Sequence, residues 1–304
     1  MIIVLTGPTG VGKTKLSLAL AKHYQTDIIS GDSMQIYQGM DIGTAKVSAE
    51  DQAQIKHHMI DILPPQEPYS VANFQRDVRA KINALQKENK KPFIVGGTGF
   101  YIKSVLHDFE FDDTKRDFTL EAQYQAYDNE SLYQKLQTLD AKTAKKLHPN
   151  NRKRILQALS QAKKGQPISE KTNQSQPLYD YIVIVLTLQR EKLYETIEKR
   201  VDTMFAQGLV KEAQNLYKQN LSYTAKQAIG YQELFAHFDG DYDLKEAKTR
   251  IKRNTRRYAK RQLTYFKHQF NAEIIDTTKM DFQALLKKSQ SLIDQALKDA
   301  RDKP

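Results

Sequence analysis

Residues 1–20 read MIIVLTGPTGVGKTKLSLAL, and the octapeptide GPTGVGKT at positions 7–14 decides the fold. It fits the pattern G-x-x-x-x-G-K-[ST] in full. It lies directly after the β-branched run Ile2–Leu5 and directly before Leu16, Leu18, Ala19, Leu20 and Ala21, which have helical character. Gly7, Gly10 and Gly12 let the backbone wrap closely, with Pro8, Thr9 and Val11 completing the loop. Its N–H groups and the helix N-terminus then cradle a diphosphate. Lys13 adds a point charge, and the Thr14 hydroxyl is a ligand for magnesium. A chance glycine-rich turn would not carry this flanking context.

Working outward, Asp27–Ser30 reads as a second strand ending at GDSMQIY. Phe93–Val95 reads as a third, running into GGTGFY after a helix over Asn73–Asn89. Strands alternating with helices predict an α/β fold, a P-loop NTPase-like parallel sheet covered on both faces. From Asp112 to Pro177 the β-branched runs vanish, and Lys, Gln and Asp alternate with Leu and Ala at helical spacing. This predicts an all-helical insertion over residues 112–177 in a core formed by 1–111 and 178–304. Tyr181–Leu188, YIVIVLTL, returns the chain to the sheet. Helices follow to about Gln269, then a short apolar segment at Glu273–Ile275 and a polar, frayed C-terminal helix.

The composition bounds the function. The 304 residues carry a formal net charge of +11, with 39% hydrophobic and 27% charged residues, so a folded protein with a polyanionic partner is expected. The absence of Cys excludes disulfides and thiolate metal sites. The apolar run YIVIVL is far too short to span a membrane, and MIIVLTG has no basic lead segment or cleavage site. The expectation is a cytoplasmic protein with no membrane partner, for which a monomer suffices.

A phosphate loop does not name a reaction. A GTPase needs Asp-x-x-Gly, and no Gly here has Asp three residues before it. An ATPase places an acid at the end of an apolar strand, whereas Phe93–Val95 ends in Gly96 and Gly97. Asp32, directly after a strand, falls at the carboxyl edge of the sheet beside the loop, where it can accept a proton. A helix cap or turn role is the alternative. The run Lys248–Lys267 carries nine cations and no acid. As a helix it buries Leu244, Ala247, Ile251, Ala259, Leu263 and Phe266 and turns Arg253 and Arg257, among others, to an RNA backbone. In HPNNRKRILQAL, a helix capped by Asn150 or Asn151 has Arg152, Lys153 and Arg154 in its first turn. Cations there oppose the helix dipole, so an anionic partner explains them.

Taken together, GPTGVGKT, GDSMQIYQGMDIGTAK, HHMIDI, YSVANF, VGGTGFYIK, RVDTMFAQGL, AIGYQEL and TRRYAKRQLTYF closely resemble the tRNA dimethylallyltransferase (tRNA isopentenyltransferase) family, in order and over almost the whole chain. The resemblance implies transfer of a dimethylallyl group from dimethylallyl diphosphate to N6 of the adenosine after the anticodon, with Mg2+. It implies a base in Asp32, a diphosphate clamp in Lys13, Thr14 and Arg200, and tRNA contacts at Ser33, Met34, Gln35 and Thr98. On the anticodon stem-loop, contacts fall at Lys153, Arg154 and Gln157. The family more often has Gln-Arg and a second Arg there, which puts one phosphate contact in question. Tyr265 stands where Trp is common and Gln232 where Lys is common. Two other readings stay open: a P-loop small-molecule kinase holding ATP with Lys13 and Thr14, and a non-catalytic RNA-binding NTPase module. The histidines His57 and His58 are expected to be packed or solvated and not metal ligands.

Overall fold

The computed structural model describes residues 1–111, 123–165, 167–170 and 176–302. The chain forms two compact units, one of residues 1–108 with 177–304 and one of residues 109–176. In the first, the described residues form a parallel sheet of β1 (Ile2–Thr6), β2 (Ile28–Ser30), β3 (His57–His58), β4 (Phe93–Gly96), β5 (Tyr181–Thr187) and β6 (Glu273–Asp276), ordered β3-β2-β4-β1-β5-β6. The segment at Glu273, read from sequence only as apolar, forms β6, one of the two edge strands.

Its helices are α1 (Lys13–His23), α2 (Ala49–Gln54), α3 (Val71–Lys87) and α4 (Gly99–Leu106), followed in the second unit by α5 (Asn129–Leu139), α6 (Ala141–Ala144) and α7 (Arg152–Lys163). The first unit then resumes with α8 (Arg190–Ala206), α9 (Leu209–Tyr217), α10 (Tyr223–Lys226), α11 (Tyr231–Phe238), α12 (Leu244–Gln269) and α13 (Phe282–Arg301). All five residues of β1 are buried, as expected of a strand covered on both faces. Ile2 and Val4 join Phe74, Val78, Ile82 and Leu85 of α3 in one core. Ile3 and Leu5 join Leu16 and Leu20 of α1 and Leu285 and Ile293 of α13 in the other. The two-residue period of the strand thus feeds two cores at once.

Local chemistry explains where the elements differ from the sequence reading. The helix expected from Asn73 starts at Val71, because Ser70 and Asn73 form a reciprocal capping box: each side chain accepts from the other's backbone N–H at 3.1 Å. The C-terminal helix is well formed, not frayed. Asp281 accepts from the Ala284 N–H at 2.8 Å, and Leu285, Ser289 and Ile293 are buried. Leu244, assigned to the buried stripe of α12, is 38% exposed, and Gln262 takes a place in that stripe at 6%. In the second unit α5, α6 and α7 enclose a small core of Leu132, Leu136, Ala144, Ile155, Ala158 and Leu159. Among the described residues no helix is long and apolar enough to cross a membrane.

The register aligns the carboxyl ends of three strands, pairing Thr6 with Gly96 and Ser30 with Val95. The Thr6 hydroxyl donates to Gly96 O at 2.7 Å, and Gly31 N donates to Val95 O at 2.8 Å. A side chain at Gly96 would place its Cβ 2.3 Å from the carbonyl carbon of Gly31. Gly96→Ala is therefore expected to cost about 1–3 kcal/mol through backbone displacement. A lower urea midpoint at the wild-type slope would show it, and an unchanged midpoint would refute the close contact.

Candidate active site

The loop after β1 takes its shape from three glycines in the left-handed region, Gly7 (φ 144°), Gly10 (φ 88°) and Gly12 (φ 87°). At Gly7 a Cβ would sit 2.5 Å from Leu186 O, so both conformation and space require glycine. Gly12 caps α1 without a side-chain hydrogen bond, and the first turn has no acidic residue. The N-terminal amides and the positive end of the helix dipole therefore remain for an external anion. Lys13 Nζ donates to Gly7 O at 2.8 Å and to Pro8 O at 2.7 Å. The Val11 side chain is buried in the core, whereas Thr14 is exposed beside Lys13.

Thr9, Gly10, Gly12, Lys13 and Thr14 line a cavity of about 760 Å³. Asp32, Ser33, Met34 and Gln35 continue its wall, with Gly96, Gly97, Arg200, Tyr258, Arg261 and Gln262. Asp32 Oδ1 accepts from the Met34 N–H at 2.8 Å, so the turn role and the place in the cavity hold together. Desolvation raises the Asp32 carboxyl above its ordinary value, against the Met34 and Gln35 amides and the charges of Lys13 and Arg200, which favour the anion. Desolvation likewise lowers the Arg200 guanidinium, with Asp32 acting the other way. Lys13 is pulled down to about 7, first by desolvation and then by Arg200, with Asp32 opposing. The three side chains thus form one coupled electrostatic group.

Other expected residues have different surroundings. Thr98 does not line the cavity; its hydroxyl accepts from Ser33 N at 3.1 Å and donates to Ser33 Oγ at 3.3 Å, tying the end of β4 to the end of β2. Gln35 accepts from Ser30 Oγ at 2.9 Å and donates to Thr44 O and Ala45 O at 3.3 and 3.4 Å. Its amide is thus oriented by protein groups, and it forms part of the cavity wall. Met34 packs against the core. Lys153, Arg154 and Gln157 are exposed on α7, in the second unit. Arg152 of the same turn instead donates to the carbonyls of Tyr127 and Tyr124 at 2.6 and 2.7 Å, so it braces that unit. Asn151 occupies the cap position of α7 without a side-chain bond.

The basic run on α12 is also partly neutralised. Lys248 and Lys252 pair with Asp202 at 2.8 Å, Arg250 pairs with Glu246 at 2.7 Å, and Arg256 pairs with Glu198. Arg253, Arg257, Lys260 and Lys267 remain exposed, with no ion pair among the described residues. Two wall residues escaped the sequence reading. Tyr258 lies beside Asp32, and burial raises its hydroxyl to about 12. Gln262 donates to Gly97 O at 2.9 Å, and a Cβ at Gly97 would meet its Nε2 at 2.2 Å. Their spacing of four residues within TRRYAKRQLTYF, which puts them on one helix face, was the available signal.

The pH dependence of anion binding follows from Lys13. Below about pH 7 it is an ammonium and above that mostly the neutral amine. A bound diphosphate favours the charged form, so binding above this pH takes up a proton. Affinity then falls as pH rises, by up to about tenfold per unit. Calorimetry with inorganic diphosphate at about pH 8, in buffers of different ionisation enthalpy, is expected to show an uptake that Lys13→Met lacks. Equal uptake in both proteins would assign the proton elsewhere.

A family model described as IPP transferase matches residues 35–269. The tRNA dimethylallyltransferase of Bacillus pumilus is 47% identical over 285 residues, covering 91% of this chain and 90% of the relative. That of Bacillus subtilis is 45% identical over 285 residues, covering 91% of each. The full-length tRNA isopentenylpyrophosphate transferase from Bacillus halodurans superposes with a TM-score of 0.76 at 41% identity, over 98% of this chain and 97% of that one. A eukaryotic dimethylallyltransferase acting on tRNA superposes with a TM-score of 0.81 at 27% identity, over 100% of this chain and 80% of that one. With matches of this identity and extent, on a sheet that ends in a phosphate loop facing an acid and an arginine, the chain belongs to the IPP transferase family of tRNA dimethylallyltransferases.

Proposed function

We propose that the chain transfers a dimethylallyl group from dimethylallyl diphosphate to N6 of the adenosine on the 3′ side of the anticodon in tRNA, releasing diphosphate. The observation that carries this reading is the placement of Asp32 in one cavity with the phosphate loop, Lys13 and Arg200. The adenine nitrogen forms a bond to the allylic carbon as the carbon–oxygen bond breaks, and the amine proton passes to Asp32. Negative charge grows on the departing diphosphate. The loop amides, Lys13 and Arg200 stabilise that charge more in the transition state than in the ground state. Burial makes Asp32 a stronger base than an exposed carboxylate.

Thr14 would hold a magnesium ion. Its exposed hydroxyl takes part in no hydrogen bond among the described residues, and these contain no cluster of His, Asp or Glu suited to a metal. Magnesium fits such a site because it keeps waters and binds mainly through substrate phosphates. When bound, it would offset charge on the diphosphate.

The tRNA enters this reading through two surfaces. On α12, Arg253 and Arg257 would meet backbone phosphates, and on α7 Lys153, Arg154 and Gln157 would meet the anticodon arm. Ser33, Met34 and Gln35 form the wall beside the target nucleotide, and Thr98 holds that wall through Ser33. Drawing the adenine from its stack costs a few kcal/mol, least in a single-stranded loop.

Incubation with tRNA, dimethylallyl diphosphate and magnesium, followed by mass analysis of the anticodon-loop nucleosides, is expected to show prenylated adenosine. ATP consumption with unchanged tRNA would establish the kinase reading instead. Asp32→Ala should lower kcat by about 10²–10⁴-fold with tRNA affinity nearly intact, and equal loss of both would make Asp32 structural. The acid limb of kcat/KM should lie above the usual aspartate range, since activity is lost as pH falls through the raised value. Arg253→Ala and Arg257→Ala should each weaken tRNA binding across sequences and reduce the salt slope by about one. An unchanged slope in both would remove α12 from the interface.

A further inference from the structure

The segment after Asp32 is fastened by a carboxylate that does not itself line the cavity. Glu212, on α9, accepts from the backbone N–H groups of Asp41 at 3.1 Å, Ile42 at 2.8 Å and Gly43 at 3.0 Å, and from the Tyr231 hydroxyl at 2.6 Å. Three consecutive amides turned on one anion form a nest, and only a carboxylate offers enough acceptor sites for all four donors. Gly43 lies against the Tyr231 ring so closely that a Cβ would come within 2.5 Å of it. The chain therefore has one seat at this point.

From that seat a path of hydrogen bonds leads to the base. Thr44 and Ala45, the next residues, supply the carbonyls that hold the Gln35 amide, whose oxygen accepts from Ser30 Oγ. Ser30 Oγ in turn accepts from Asp32 N at 3.4 Å, and the Asp32 carboxylate accepts from Met34 N, one residue before Gln35. We propose that Glu212 is a positioning residue for Asp32: by fixing residues 41–45 it sets Gln35, and through Gln35 the direction in which the Asp32 carboxylate faces the acceptor amine. This rests on the prenyl-transfer reading. It assigns Glu212 to the chemical step more than to substrate binding: Glu212 itself lies outside the cavity wall, although Gly43, Thr44 and Ala45, which it fixes, form part of that wall.

The test is steady-state prenylation of an anticodon stem-loop RNA, with both substrates varied well below the unfolding temperature, alongside thermal melts. Glu212→Gln keeps the shape but turns an NH2 toward N–H donors. It is expected to lower kcat by at least about tenfold, because small misplacement of a catalytic group is costly, while both KM values stay within about threefold. Glu212→Asp, which keeps the charge, should recover part of the loss. Tyr231→Phe, whose side chain lies outside the cavity wall, serves if Glu212→Gln does not fold, and should reduce kcat more than it changes either KM. A folded Glu212→Gln protein with wild-type kcat and a lower melting temperature would overturn the proposal. So would raised KM values at unchanged kcat, or wild-type kcat in Tyr231→Phe. If the wild type itself transfers no prenyl group, the functional reading fails first; wild-type transfer with undiminished Glu212→Gln kcat sinks this inference alone.

Discussion

The close approach of backbone to backbone at the carboxyl edge of the sheet is the constraint on which the rest of the molecule depends. Gly96 leaves no room for a methyl group against the backbone of Gly31 at the end of β2, and Gly97 leaves none beneath Gln262. With β1 beside β4 in matched register, the phosphate loop, the Asp32 turn and the start of α4 converge on one edge. An open α/β sheet binds ligands at this edge because its loops diverge there and helix N-termini point into the gap. The glycines reduce the distances so that side chains of ordinary length can meet.

At that edge two effects oppose each other. Removing Asp32 from water disfavours its charge, while two backbone amides, Lys13 and Arg200 favour it, and desolvation prevails. The same removal from water disfavours the charge on Lys13 and Arg200. A dianionic ligand would restore what the two cations lack. The site is therefore matched to a substrate that brings negative charge in and concentrates more of it on leaving. An adenine amine attacking at carbon needs a base close by, and Asp32 is held within the same coupled group.

Much of this is legible in the sequence alone. GPTGVGKT between a strand and a helix fixes the loop, and alternating strand and helix periods lead to a parallel sheet, because both signals are local. What stayed hidden depends on residues distant in sequence. Gln262 looks like a polar gap in a buried stripe until Gly97 supplies its partner across the fold. Glu212 reads as one more acid on an amphipathic helix, since its partners lie about residue 42. Leu244 fits the helical period but lies at the end of α12, where it stays exposed. Gln35 carries the right chemistry to read a base, yet its amide is claimed by neighbours that no spacing rule identifies.

The ion pairs between α8 and α12 bear on how such an enzyme parts from its product. Asp202 and Glu198 neutralise Lys248, Lys252 and Arg256, so the charge an RNA meets on this helix is well below what the run of cations suggests. Counterion release grows with each phosphate neutralised, and a fully bare helix would hold any polyanion for longer. If this face meets the tRNA as proposed, keeping part of its charge occupied would limit unspecific retention on RNA and ease dissociation of the finished transfer RNA.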